Sequence, residues 1–158
     1  MRQYERLVLV TALRLTGRMA DAQDISQEVF LKLYRNLSKL EAVGISTWLY
    51  RVTVNACRDH HRRRRREDPV EAAEAIADGG ANPQQALTEA ERRRVLALSL
   101  RMLPEKERTA LVLRDLEGLS TLETARILGS SEATVRSHVS KARVKVKDFV
   151  ERYFRRRV

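Results

Sequence analysis

Apolar side chains recur along this chain at intervals of three and four, the period of a helix that buries one face, and no alternating run of Val, Ile and Thr is long enough to predict a strand. The fold class expected is all-α. Residues 2–15 make a first helix, stopped at Gly17, where a left-handed terminal residue strains glycine least. Asp21 is placed as the cap of a second helix, with Ala22, Ile25, Val29, Leu33 and Leu37 on one face. A loop around Gly44 follows, and Ser46 is placed as the cap of a third helix whose Trp48, Leu49, Val52 and Ala56 point inward. In the second half, residues 92–102 and 105–116 read as helices, stopped near Pro104 and at Gly118. Ser120 caps residues 121–128, Gly129 breaks that helix, and Ser131 caps a long last helix from Glu132 to about Arg152. Its Val135, Val139, Ala142, Val146 and Phe149 form a buried seam, opposite Arg136, Ser137, Ser140, Lys141, Arg143 and Lys147. A short helix, a glycine turn and a longer helix with a basic, hydroxyl-rich outer face is the helix-turn-helix pattern, whose second helix enters the major groove of DNA.

The period lapses over residues 67–90, which carry Pro69, Gly79, Gly80 and Pro83 and only Val70, Ile76 and Leu87 as large apolar side chains. Within them, the Ala-rich stretch 71–77 alone has the composition of a short helix. Two small helical domains are therefore expected, an N-terminal bundle over 1–66 and a helix-turn-helix domain over 91–158, joined by a flexible linker. Charge follows the same division: residues 1–66 hold 14 basic and 6 acidic side chains, giving +8, and residues 92–158 hold 17 and 8, giving +9. Residues 67–91 hold 7 acids and no Lys or Arg, so the total of +10 conceals two basic modules around an acidic segment. The 158 residues, 43% apolar, are enough for two small cores, and the single Cys rules out a framework of internal disulfides. Apolar runs such as residues 7–10 fall far short of the roughly 20 residues of a membrane helix, and no secretory leader opens the chain, so no direct membrane insertion and a cytoplasmic protein are expected.

Three surfaces carry candidate chemistry. On the last helix, Arg136, His138 and Lys141 are placed to reach base edges or phosphates, against the plainer reading of a solvated basic face. On the third helix, Arg51, Asn55, Arg58 and Asp59 share a face, and six Arg between positions 58 and 66 against one Asp would neutralise several phosphates in a salt-dependent, sequence-blind manner. The alternative is a helix C-terminus whose dipole favours cations. Trp48 fits a core position as well as a surface for stacking on bases. On the second helix, Asp24, Gln27, Glu28 and Leu31 lie opposite the buried stripe, forming an acidic and apolar patch that DNA would repel. A basic protein partner would suit it, unless it is an ordinary solvated face. Asp59, His60 and His61 could suggest a metal-dependent nuclease, but adjacent His side chains diverge by about 100° on a helix. With neighbouring arginines opposing a cation, no partner thiol for Cys57 and no glycine-rich phosphate loop, no catalytic residue, metal or cofactor is expected.

Taken together, the stretches Ala12-Leu-Arg-Leu-Thr-Gly, 21–30, Trp48-Leu-Tyr-Arg, the Asn55, Asp59, Arg62 spacing, Leu103-Pro, Val112-Leu-Arg-Asp-Leu-Glu-Gly-Leu-Ser and Thr134-Val-Arg-Ser resemble a bacterial sigma factor of the extracytoplasmic-function (ECF) group, in the sigma-70 family. The likeness runs over residues 4–66 and 86–150. It implies an initiation factor, not an enzyme, with domain 2 over 1–66, an acidic linker threading toward the polymerase channels, and domain 4 over 91–158. It implies as partners core RNA polymerase, through its β′ clamp helices and β subunit, promoter DNA, and an anti-sigma factor, membrane-bound or free. Asp24, Gln27, Glu28 and Leu31 would then meet the polymerase. Trp48, Arg51, Asn55, Arg58, Asp59, Arg62 and Arg63 would meet the minus-ten element, with the loop 38–45 holding a flipped base. Thr134, Arg136, Ser137, His138, Ser140 and Lys141 would read the minus-thirty-five element in duplex form. Extruding a base costs a few kcal/mol, which pocket contacts must offset. The sequence departs from the family in its loop 40–45, which lacks the usual aromatic and basic residues, and in the small or neutral His138 and Ser140. It also begins close to the first matched helix.

Overall fold

The computed structural model describes residues 1–67 and 88–156, which form helices and turns and no strand. The helices are α1 (Arg2–Thr16), α2 (Met19–Asn36), α3 (Ile45–Glu67), α4 (Glu89–Arg101), α5 (Glu105–Leu111), α6 (Thr121–Leu128) and α7 (Glu132–Arg155). Two 3-10 turns, Leu37–Lys39 and Ala42–Gly44, join α2 to α3, and a π turn, Val112–Leu116, extends α5. The first three helices pack around Val8, Ala12, Ile25, Val29, Leu49 and Val54, the last four around Leu100, Ala110, Leu113, Val135 and Ala142. Among the described residues the two cores merge into one apolar cluster.

Several local expectations give way to better partners. Asp21 lies inside the first turn of α2 instead of capping it; Arg18 is the cap residue, and the Asp21 carboxylate accepts from Arg64 at 2.7 Å. A cationic partner on α3 outcompetes the backbone amides. Leu37 is 48% exposed, because α2 ends at Asn36, whose side-chain amide donates to the Lys32 carbonyl. Ser46 falls inside α3, which starts at Ile45 directly from the preceding 3-10 turn. α4 starts at Glu89, earlier than residue 92, through a capping box: the Glu91 amide donates to Thr88 Oγ1 (3.2 Å) and the Thr88 amide to Glu91 Oε2 (3.3 Å). Ordered helix thus reaches into both ends of the stretch assigned to the linker, and the expected helix at 71–77 lies outside the described residues. α7 runs to Arg155, and Ser120 and Ser131 cap α6 and α7 as expected.

The largest departure is in the helix expected over 105–116. It widens at Val112, where the Glu117 amide donates to the Val112 carbonyl five residues back (2.8 Å), before Gly118 turns the chain at φ 75°. One extra residue in a turn rotates the residues after it by roughly 100°. The Glu117 carboxylate lies against the N-terminal bundle and accepts from Thr11 Oγ1 (3.1 Å), Arg14 Nη1 (2.9 Å) and the Tyr50 hydroxyl (3.2 Å). Burial and the adjacent carboxylate push the Tyr50 hydroxyl well above its ordinary pKa, so it stays a donor. Arg108 makes a second tie, donating across the interface to the Leu15 carbonyl (3.1 Å) while also binding the carbonyls of Leu100, Arg101 and Leu103.

Glu117→Ala leaves three donors without their acceptor at the junction. A loss of about 1–3 kcal/mol in stability is expected by chemical denaturation, together with a larger radius of gyration in solution scattering. An unchanged radius would show that the merged apolar cluster alone holds the halves together.

Candidate nucleic-acid interface

The helix-turn-helix is built from its caps. At the start of α6 the Glu123 amide donates to Ser120 Oγ (3.0 Å), the Ser120 amide to Glu123 Oε2 (2.8 Å), and these bonds hold the Glu123 carboxyl below its usual range. Gly129, at φ 63°, ends α6, and the Ser130 amide donates to the Ala125 carbonyl (3.0 Å). Ser131 Oγ then accepts from the Thr134 amide (3.1 Å), and buried Ala125 and Val135 let the two helices cross closely. Arg136, Ser137, Ser140 and Lys141 stand exposed on α7. Thr134 is exposed too, with its hydroxyl oxygen accepting from Ser131 (2.8 Å), whereas His138 is half-buried on the side facing α3. Arg143 has another task, donating twice to Asp115 (2.7 Å each), which draws that carboxyl below its usual range and pins α7 to the end of α5.

On α3, Arg51, Asn55, Asp59, Arg62 and Arg63 are exposed. Trp48 is half-buried and packs against the core, so both roles weighed for it draw on the same ring. Arg58 is half-buried and lies 3.7 Å from Glu105 of α5. The 59–61 triplet does not converge. Asp59 lies 3.8 Å from Arg62, His60 Nε2 lies 3.3 Å from Asp21, and His61 turns toward Arg65 and Arg108, where burial and those cations lower its pKa. Among the described residues no group of three or more His, Cys, Asp and Glu could hold a metal ion. Cys57 is buried, and burial with nearby Glu105 and Glu28 pushes its thiol up to about 12.

On α2, Asp24, Gln27 and Leu31 face outward, and Glu28 is half-buried with Lys32 at 3.0 Å. Tyr34, three residues after Leu31, continues the face at 80% exposure. Its spacing is visible in the sequence, but an aromatic ring does not stand out beside an acidic patch. The surfaces on α3 and α7 are brought together. A cleft of about 410 Å³ has Arg58 and Arg62 on one side and Lys106, Ser130, Thr134 and His138 on the other.

Residues 1–67 match Sigma-70 region 2, and residues 93–146 match Sigma-70, region 4. The ECF RNA polymerase sigma-E factor of Escherichia coli K12 is 35% identical over 147 residues, 86% of this chain and 77% of that protein. The chain belongs to the ECF sigma factor family. A second relative, the ECF RNA polymerase sigma factor SigE of Mycolicibacterium smegmatis, is 33% identical over 96% of this chain, which spans 60% of that protein's length. In fold, this sigma factor is similar to the sigma factor RpoE of Bartonella quintana, solved in complex with the anti-sigma factor NepR, with a TM-score of 0.75, 21% identity and coverage of 95% and 93% of the two chains. Sigma factors are transcription initiation factors, not enzymes. Among the described residues, no helix of this one is long and apolar enough to cross a membrane.

Nothing in the local pattern announced the cleft, because Lys106, Ser130 and their α3 neighbours are more than forty positions apart and belong to different helical periods. If the exposed Arg136 reads a base edge, Arg136→Ala loses about 1–3 kcal/mol of discrimination at one base pair in competition binding to duplex variants. A uniform loss over all sequences would make Arg136 a phosphate contact.

Proposed function

We propose that this sigma factor binds core RNA polymerase and directs it to a small set of promoters, recognising and melting them in the cytoplasm under the control of an anti-sigma factor. The observation that carries the reading is the presence of both family regions in one chain, each with a solvent-facing set of polar side chains of the chemistry its role requires. In this reading residues 1–66 are domain 2, 67–90 the acidic linker and 91–158 domain 4. Asp24, Gln27, Glu28 and Leu31 offer the β′ clamp helices an acidic and apolar face, and Tyr34 enlarges it. Trp48, Arg51, Asn55, Arg58, Asp59, Arg62 and Arg63 take the minus-ten element, and Thr134, Arg136, Ser137, His138, Ser140 and Lys141 the minus-thirty-five element. The polymerase β subunit receives domain 4. Anti-sigma control draws support from fold neighbours solved as complexes with such proteins.

The geometry adds a requirement to this reading. Elements about 25 base pairs apart are separated by roughly 85 Å at ~3.4 Å per pair. Arg58 and Arg62 share one cleft with Thr134 and His138. Both elements cannot be read in that arrangement, so the halves part when the promoter is engaged, and the Glu117 and Arg108 ties are what must open.

Run-off transcription with purified core polymerase and a cognate upstream region tests the function: a promoter-specific transcript dependent on this protein is expected, and none from any cognate region would refute it. Asp24→Lys is the cleaner probe of the polymerase face, since reversing Glu28 would also set a cation against Lys32. It should weaken core polymerase binding severalfold while leaving the fold, followed by circular dichroism, intact.

A further inference from the structure

A second cavity lies between the halves, on another face of α3. Its volume is about 90 Å³, and it is lined by Thr16, Arg18, His61, Arg64, Arg65, Arg101 and Arg108. Five arginines line it, with no carboxylate among the lining residues. Arg64 is held by Asp21 at 2.7 Å. Arg108 is satisfied in its hydrogen bonds by carbonyls of Leu15, Leu100, Arg101 and Leu103, which are neutral and carry no counter-charge of their own. Glu105 is the acid that acts on Arg108, from the neighbouring pocket and paired to Arg58. Burial and the charges of Arg101 and Arg65 disfavour the Arg108 cation, and Arg65 and Arg108 disfavour that of His61. Like charges gathered in a partly desolvated space call for a counter-charge.

The backbone is shaped for this approach. Gly17 turns the chain between α1 and α2 at φ 75°, and a Cβ there would lie 3.0 Å from Cγ and Cδ of Arg101, which reaches over from the C-terminal half. The cations therefore come from both halves: Arg18, Arg64 and Arg65 from one, Arg101 and Arg108 from the other.

We propose that this cavity is a binding site for a phosphoryl group, bridging the two halves of the protein. Guanidinium forks match the geometry of tetrahedral oxyanions. The cavity is open to solvent and small, so it takes one phosphoryl group and leaves the remainder of a larger ligand outside. Because its walls belong to both halves, an occupied site stabilises the closed arrangement by mass action. The site stands on the cavity and its charges and does not depend on the proposed promoter role.

The test is calorimetric titration and thermal unfolding of the full chain with inorganic phosphate, pyrophosphate and ATP without metal, each against sodium chloride at equal ionic strength. Saturable binding at one site and a rise in Tm above the chloride control are expected. Binding should be about tenfold weaker for Arg101→Gln, where one charge-assisted contact is lost, and unchanged for Arg152→Gln on distant α7. Arg101 is exposed, so its variant should fold; Arg65→Gln, also exposed, gives an independent reading. Phosphate binding as tightly as ATP identifies free phosphate as the ligand, and tighter ATP binding identifies a nucleotide. Equal stabilisation by chloride, or undiminished binding in both variants, overturns the proposal. So does loss of affinity in these variants only for promoter oligonucleotides, which would make the cluster part of the DNA track.

Discussion

The arrangement of this protein depends on one half-buried carboxylate. Glu117 lies at the end of a widened helical turn in the C-terminal half and is the common acceptor for a hydroxyl, a guanidinium and a phenol of the N-terminal half. A buried acid is tolerated only where its oxygens are satisfied, and three donors meet that condition. The requirement works in both directions, since Arg14 and Tyr50 need Glu117 as much as it needs them. The π turn is thus not a flaw in α5 but the device that aims this side chain.

Around that contact the molecule divides its charges by task. Glu117 faces the N-terminal bundle, Asp24 on α2 stands exposed, and Arg62, Arg63, Arg65 and Arg66 of α3 and the outer face of α7 are exposed to solvent. At the junction, Arg108 is held by carbonyls, Arg64 by Asp21 and Arg14 by Glu117. Packing also separates positions that sequence spacing groups together. Arg136 and Arg143 fall on the same broad side of α7 and both are exposed, yet Arg143 is engaged in a bidentate pair with Asp115.

Much of the fold was legible because helical period and caps are local. Ser120, Gly129 and Ser131 each act on amides within a few residues, and their roles could be assigned without knowing the neighbours. Asp21 misleads for the opposite reason: its partner, Arg64, lies 43 residues away. The exposed faces of α2, α3 and α7 were legible to the extent that a buried stripe defines its opposite. The shared cleft and the arginine cavity were not, because they arise from packing one half on the other, and residues such as Lys106, Arg101 and Arg108 look like ordinary solvated cations in sequence.

The buried thiol of Cys57 has a practical consequence. With its pKa pushed up to about 12, it is essentially free of thiolate at neutral pH and shielded from reagents. The chain has one Cys in all, so the native protein is chemically silent toward thiol-directed probes. A reporter cysteine introduced on each half would label selectively, and the distance between the two dyes would follow the opening of the halves with no need to remove the native residue from the core.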